Sequence, residues 1–482
     1  MEQSTDKTDV RMKSTRRTFL SAGAVAAAAV TAGPLISSPA FADGGGAAPG
    51  PGGPLHAQKP DRELRKLLAE VDHRRIEATV NRLVAFGTRH TASSQTDPVR
   101  GIGAATTWVV QQMQAAAAAS GGRMTVERQT FTQPVSPQIP VPTQITNVIT
   151  TLRGDVSPDR IYVVTAHLDS RVTNVLNFTD DAPGADDDGS GVAVLIEMAR
   201  LMATRHFEAT IVFGIVAGEE QGIYGSAFMA QQMKAAGDDI QAMFSNDIVG
   251  ASSAFDGTKP DPHTLRLFVE GVPTSETANQ TAIRQAVGGE NDGPSRQLGR
   301  FVSSVADNSD TDMRIRVIWR RDRYLRGSDH ISFLDQGYPA ARFTEPRENF
   351  NHEHNDVGVI DGVQHGDLAE FCDFNYMARV AKVNAATLWS LAQAPGTPKN
   401  ALLLTESLTN LSTLSWDRGT EPDLAGYEVV WRETTAPEWT NVIAVGDVTT
   451  ITIDLSKDNV FFGVRAVDQA GHRSPVASPQ PG

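Results

Sequence analysis

The sequence predicts an α/β protein: a three-layer sandwich around a central mixed, mostly parallel sheet, followed by a small all-β sandwich. Three observations predict it. Apolar runs of strand length alternate with segments of helical period between residues 124 and 344, the pattern of strands joined through helices. Tyr162-Val-Val-Thr and Thr210-Ile-Val-Phe-Gly-Ile-Val are continuous β-branched runs, which fit central strands covered on both faces. Beyond Ala394-Pro-Gly-Thr-Pro the pattern becomes short alternating segments separated by turn residues.

The chain opens on a leader over 1–42. Lys13-Ser-Thr-Arg-Arg-Thr-Phe-Leu precedes a mild apolar stretch, Ser21 to Ile36, and Ala40-Phe-Ala forms a small-x-small cleavage site before Asp43. Twin arginines, a weak apolar core and that site read as a Tat-type export signal, so the mature protein is expected to be secreted or periplasmic. The stretch is too short and mild for a transmembrane helix, and no membrane span is expected in the mature form. Residues 43–60 are rich in Gly, Ala and Pro and are expected to form a flexible linker.

A large domain is expected over 61–394. Leu64, Leu67, Leu68 and Val71 recur at helical spacing, and further helices are predicted over 76–86 and 103–119, the last stopped by Gly121 and Gly122. Strands are predicted over 124–131, 146–153, 160–166, 210–217, 265–270, 315–319 and 339–344, with helices over 191–204 and 225–236. A β-sandwich is expected over 398–482, with strand candidates at 402–406, 412–416, 427–432, 440–445, 449–454 and 461–467.

Composition narrows the function classes. The 482-residue chain has a formal net charge of −14, which argues against a nucleic-acid partner, since those proteins present a basic face. With one cysteine, Cys372, no intrachain disulfide and no Cys-based zinc site exists.

The chemistry-bearing residues follow the apolar runs. His167 and Asp169 follow Ile161-Tyr-Val-Val-Thr-Ala; Glu219 and Glu220 follow Ile211-Val-Phe-Gly-Ile-Val-Ala-Gly; Asp247 follows Met243-Phe-Ser-Asn. Asp187 lies in Gly184-Ala-Asp-Asp-Asp-Gly-Ser-Gly and His352 in Asn349-Phe-Asn-His-Glu-His-Asn-Asp. In α/β sheets ligands bind beyond the carboxyl ends of the strands, where His167, Glu219 and Asp247 fall. Alternate residues His167 and Asp169 can converge, one ligating while the other orients it. Adjacent carboxylates such as Glu219 and Glu220 repel unless a cation neutralises one, which leaves the other to act as base. Nitrogen and carboxylate donors in this number suit a pair of zinc ions and metal-assisted hydrolysis.

His-x-Asp, the Asp187 string, Gly-Glu-Glu-x-Gly-x-x-Gly-Ser, Asn-Asp, Ser328-Asp-His330 with Phe333, Gly337-Tyr-Pro and His-x-x-x-Asp together resemble the M28 zinc aminopeptidases of the secreted bacterial type, over about Leu83 to Leu391. Phe86-Gly-Thr-Arg-His and Arg100-Gly-Ile-Gly-Ala-Ala fit the same family. The resemblance implies two zinc ions per chain. His167 and Asp247 would hold one, Glu220 and His352 the other, and Asp187 would bridge them. Glu219 would be the general base and acid, Asp169 would orient His167, and Asp356 would orient His352. It also implies peptide substrates with a free N-terminus and makes Asp187–Asp188 a candidate cis peptide. Some members carry Tyr before the final His to help bind the oxyanion; Asn351 holds that position here, and Tyr324 is the substitute considered. His354 is the decoy for His352, set aside because His352 to Asp356 reproduces the family spacing. His330 reads as structural, and the six arginines between Arg314 and Arg326 as a solvated face or a substrate contact.

Other readings on this fold are a one-zinc glutaminyl cyclase, a carboxypeptidase or related amidohydrolase, and a receptor-like protein that has lost its ligands. The complete donor set and the short interval from Asp247 to His352 argue against them. Trp416, Tyr427-Glu-Val-Val-Trp and Phe462-Gly-Val-Arg-Ala-Val-Asp make the C-terminal segment similar to a fibronectin type III domain, without the usual Tyr near the start of strand F. That domain reads as a spacer, a module for cell wall, polysaccharide or protein, or a stabilising appendage.

Overall fold

A computed structural model describes residues 48–253 and 259–482, so the export signal expected over 1–42 lies outside the described residues. Three helices lead in: α1 (Arg62–Ala69), α2 (His73–Val84) and α3 (Ile102–Ala118). The side chains of Asp61 and Asp72 cap the first two by accepting the N–H groups of Leu64 and Arg74. Leu64, Leu67 and Leu68 form the buried stripe that their spacing predicts.

Eight strands build one sheet: β1 (Met124–Gln133), β2 (Thr143–Leu152), β3 (Ser157–His167), β4 (Ala209–Val216), β5 (Asp239–Asn246), β6 (Thr264–Val269), β7 (Arg314–Ile318) and β8 (Ala340–Thr344). Their order is β1-β2-β4-β3-β5-β8-β6-β7. The pairs β3–β4, β3–β5, β5–β8 and β6–β7 are parallel, and the other three are antiparallel. Every residue of β4 is buried, as a continuous β-branched run demands.

One face of the sheet packs under α1 to α3, α4 (Gly189–Met202), α7 (Pro294–Asn308) and α9 (Phe374–Gln393). The other face packs under α5 (Tyr224–Ala236) and α8 (His330–Asp335). The three layers and the mixed sheet agree with the expected fold class. The sequence reading names no strand over β5 and no helix over α6 (Ala278–Val287), α7 or α9.

The C-terminal segment forms two four-stranded sheets around Leu414, Tyr427, Val429, Phe462 and Val464. One sheet orders Gly53–Pro54, Asn441–Gly446, Leu424–Glu433 and Val460–Asp468; the other orders Thr450–Ile453, Ser412–Ser415, Leu402–Leu403 and Gln480–Pro481. The first strand corrects the reading of 43–60 as a flexible linker for its described part. Gly53 and Pro54 pair antiparallel with Val442 and Asn441, and the Leu55 N–H donates to the Thr440 carbonyl at 2.8 Å. Gly52 makes this approach feasible: at φ +75° its ideal Cβ would lie 2.2 Å from the Val442 oxygen. A Gly/Pro segment cannot build a core, but it can close the edge of one built elsewhere.

The sandwich is fixed to the larger body. Arg160 and Glu421 form a 3.0 Å ion pair with side chains 5% and 8% exposed, and Trp439 Nε1 donates to Gln297 Oε1 at 2.9 Å. Among the described residues no helix is long and apolar enough to cross a membrane.

Candidate metal centre

Three adjacent parallel strands end together. His167 is the last residue of β3, Gly218-Glu219-Glu220 follows β4, and Asp247 follows β5; the register opposes His167 to Val216 and Thr165 to Ser245. Asp187 arrives from the loop that starts α4. The Asp188 side chain holds that loop, accepting the Gly191 N–H at 3.0 Å and the His167 N–H at 3.0 Å. The Asp367 carboxylate accepts the N–H groups of Asp186 and Asp187, each at 2.8 Å. The Asp187–Asp188 peptide is cis, as the family resemblance implies.

Asp187 spans two histidines, one oxygen to each. Its Oδ1 lies 3.1 Å from His167 Nε2, and its Oδ2 lies 2.8 Å from His354 Nε2. Asp247 Oδ1 lies 3.8 Å from His167 Nε2, and Glu220 Oε2 lies 3.0 Å from His354 Nε2. The second histidine is therefore His354, not the expected His352. The backbone explains the exchange. The turn tied by His352 N–H and Glu353 N–H to the Asn349 carbonyl ends at His354, whose φ of +57° reverses the chain and brings its ring to Asp187. His352 instead stacks on Phe371 with ring centroids 3.6 Å apart. Burial and the neighbouring His365 hold its pKa down at about 4.

Asp356 is not brought to His352 either. It is exposed, and its N–H donates to Thr173 Oγ1 at 3.2 Å. Tyr324 is 78% exposed beneath the Arg320 guanidinium, and the Asn351 N–H donates to Asn349 Oδ1, so neither joins the cluster. With His354 in place, the residue before the second histidine is Glu353. His330 is structural: buried, its Nε2 lies 2.7 Å from the Arg321 carbonyl.

Asp169 has a wider job than orienting His167. Its carbonyl lies 3.0 Å from His167 Nδ1 and fixes the ring, while its Oδ1 is 3.8 Å from that nitrogen. Its carboxylate accepts the N–H groups of Gly218 (2.8 Å), Glu219 (3.3 Å) and Glu220 (3.1 Å), clamping the turn that carries both glutamates. With Asp169 accepting from that turn, the backbone that carries the two adjacent glutamates is held in place.

The surroundings divide the acids electrostatically. Burial pushes Asp187 up, but His354 and His167 more than offset it, and the group lies well below the usual carboxylate range. Burial likewise raises Asp247, and Arg342 and His167 overcome it. Glu219 goes the other way: burial, with Asp247, Glu220 and Asp329 nearby, outweighs His167 and lifts it well above the usual range. Glu219, with high proton affinity, thus stands beside Asp187 and Asp247, whose affinity is low, while burial raises Asp188 and Asp329 as it raises Glu219.

Several participants escaped the sequence reading. Arg171, two residues beyond Asp169, contacts Glu220 Oε2 through Nε at 3.0 Å and His354 Nδ1 through Nη2 at 2.6 Å. Glu353, between two histidines, is buried and paired with Arg326. Arg342 is a charge inside the apolar run of β8, and a buried charge needs a partner, which was the available signal.

The donors suit zinc on an observation of their own. Glu220 Oε1 is buried without a hydrogen-bond partner, a costly state that a metal would relieve, and His167 Nε2 faces carboxylate oxygens of both Asp187 and Asp247. His167, Asp187 and Asp247 each offer one ligand atom within 4.8 Å of the others, and imidazole with carboxylate is zinc chemistry.

Residues 147–358 match the family described as Peptidase family M28. A probable zinc metalloprotease of Pyricularia oryzae is 53% identical over 434 residues, covering 89% of this chain and 86% of the relative. One from Pyrenophora tritici-repentis is 49% identical over 430 residues, covering 89% of each. Among solved structures, the LapA aminopeptidase of Legionella pneumophila aligns with a TM-score of 0.49 at 18% identity, over 70% of this chain and 77% of that one.

Proposed function

The chain belongs to peptidase family M28 and is a zinc metallopeptidase, and from that premise we propose that it is an exported two-zinc aminopeptidase that removes N-terminal residues from peptides. The observation that carries the reading is the placement of Asp187 between His167 and His354, one oxygen to each. His167 and Asp247 would hold one zinc, Glu220 and His354 the other, and Asp187 would be shared. Zinc bound there supplies a Lewis acid and a water of depressed pKa.

The remaining work falls to the chain's own residues. Glu219, with its raised proton affinity, accepts the proton of the attacking water and returns it to the leaving amine. Asp169 holds Glu219 and Glu220 in register through their N–H groups, so one carboxylate stays free for proton transfer while its neighbour ligates. Arg171 holds Glu220 in place, its Nε 3.0 Å from Glu220 Oε2.

Aminoacyl p-nitroanilides, assayed with and without chelator beside N-acetylated controls, test the reading. Cleavage is expected only with a free amine and only before chelation; equal cleavage of the blocked substrates would sink it. Export through the twin arginines is tested by replacing Arg16 and Arg17 with Lys, which is expected to leave the precursor inside the cell. Unchanged secretion of that variant would refute this route.

A further inference from the structure

Beside the metal centre lies a cavity of about 100 Å³ bounded by Asp186, Asp187, Ile248, His352, Glu353 and Phe371. Its lining holds four carboxylates, counting Asp367, and no lysine or arginine. Three of the four are engaged. Asp187 faces the two histidines, Asp367 accepts two backbone N–H groups, and Asp186 accepts the Gly250 N–H. Glu353 differs. One of its oxygens takes Arg326 Nη2, whereas Oε2 is buried with no hydrogen-bond partner, on a side chain only 7% exposed.

An unpartnered carboxylate oxygen at such a wall calls for a cationic donor. An oxygen of Glu353, an oxygen of Asp187 and a ring nitrogen of His354 lie within 4.8 Å of one another. A nitrogen that donates to carboxylates at about 2.8 Å fits between two oxygens at that separation. The same cavity is lined by the flat stack of His352 on Phe371, with ring centroids 3.6 Å apart.

We propose that this cavity is the subsite for the substrate's α-ammonium group, with Glu353 as its anchor. The inference rests on the aminopeptidase reading and gives its preference for a free N-terminus a specific residue. Glu353 is a specificity residue in this account, distinct from the donors that hold zinc. It also gives the pairing with Arg326 a purpose: one oxygen is fixed so that the other points at the ligand.

The test uses the zinc-loaded enzyme, Glu353→Gln and two substrates: leucine p-nitroanilide and its desamino counterpart, 4-methylpentanoyl p-nitroanilide. The zinc content of wild type and variant is measured alongside. Expected for the variant are unchanged zinc, a fall of about 10- to 150-fold in kcat/KM on the leucine substrate carried mostly by KM, and no change on the desamino one. Loss of zinc would make Glu353 a metal ligand and overturn the proposal. An equal fall on both substrates would make its role structural and overturn it as well. A variant that keeps the wild-type preference removes Glu353 alone, whereas a wild type without preference removes the aminopeptidase reading itself. Should Glu353→Gln misfold, Glu353→Asp, which keeps the charge and shortens its reach, is expected to show a smaller loss confined to the leucine substrate.

Discussion

Arg342 Nη2 lies 3.0 Å from Asp247 Oδ1, and both side chains are buried. The same guanidinium donates through Nη2 to the Asp247 carbonyl at 3.1 Å and through Nη1 to Asp322 Oδ1 at 3.0 Å. β8 neighbours β5 in the sheet, so a residue on one strand holds the carboxylate that follows the other. Replacing Arg342 with Met takes the guanidinium from buried Asp247, while Asp322 keeps Arg323 at 3.1 Å. The expected costs are about 3–5 kcal/mol of stability and a 10–100-fold loss of zinc affinity, read by urea unfolding and by zinc titration. Wild-type zinc affinity in the variant would show that Asp247 needs no such support.

The exchange of His352 for His354 is tested by paired substitutions. His354→Ala removes a group 2.8 Å from Asp187 and 3.0 Å from Glu220, and it is expected to lower the zinc content from two ions to one. His352→Ala removes a ring stacked on Phe371 and is expected to retain both ions with a modest loss of stability. Atomic emission on the purified variants decides. Loss of an ion from His352→Ala, with full occupancy in His354→Ala, would restore the family spacing as the guide.

Glu219→Gln separates proton transfer from ligation. The substitution keeps the shape of a side chain that burial, with Asp247 and Glu220 nearby, leaves strongly protophilic, and it keeps the N–H donated to Asp169. A fall of about 100- to 10,000-fold in kcat with unchanged zinc content is expected, the usual range for losing a general base. A variant with near-normal kcat would move the base elsewhere in the site.

What the sequence shows, and what it hides, has physical causes. β3 and β4 are legible because central strands need unbroken apolar runs, and the carboxyl-end rule then locates His167, Glu219 and Asp247. α9 is hidden because it is buried on nearly every side, from Tyr376 to Ala392, so no amphipathic stripe marks it. α7 did carry a signal, with Leu298, Val302 and Ala306 at intervals of four. The choice between His352 and His354 turns on a left-handed residue that is not glycine, which sequence patterns rarely announce. The strap at 48–60 misleads in another way: its composition reports that it lacks a core, not that it lacks a partner.

The joint between the two sandwiches predicts a pH dependence of stability. His472, in the C-terminal sandwich, reaches Asp468 through Nδ1 at 2.6 Å and Asp61, the cap of α1, through Nε2 at 3.4 Å. Hydrogen bonds to Asp468 and Asp61 push the imidazole up to about 9, above the value of roughly 6.5 it has when unfolded. A group whose folded pKa is raised contributes in full below its unfolded pKa and loses that contribution as pH rises through the folded one. The stabilisation is therefore present at pH 6, declines above about 6.5 and is gone beyond about 9. Its size is about 1–2 kcal/mol, allowing for solvent screening of a partly exposed ring. Thermal unfolding of wild type and His472→Gln from pH 5.5 to 9.5 is expected to show two curves that are separated at the acid end and converge at the alkaline end. A gap of constant width would mean that His472 acts through packing and not through its charge.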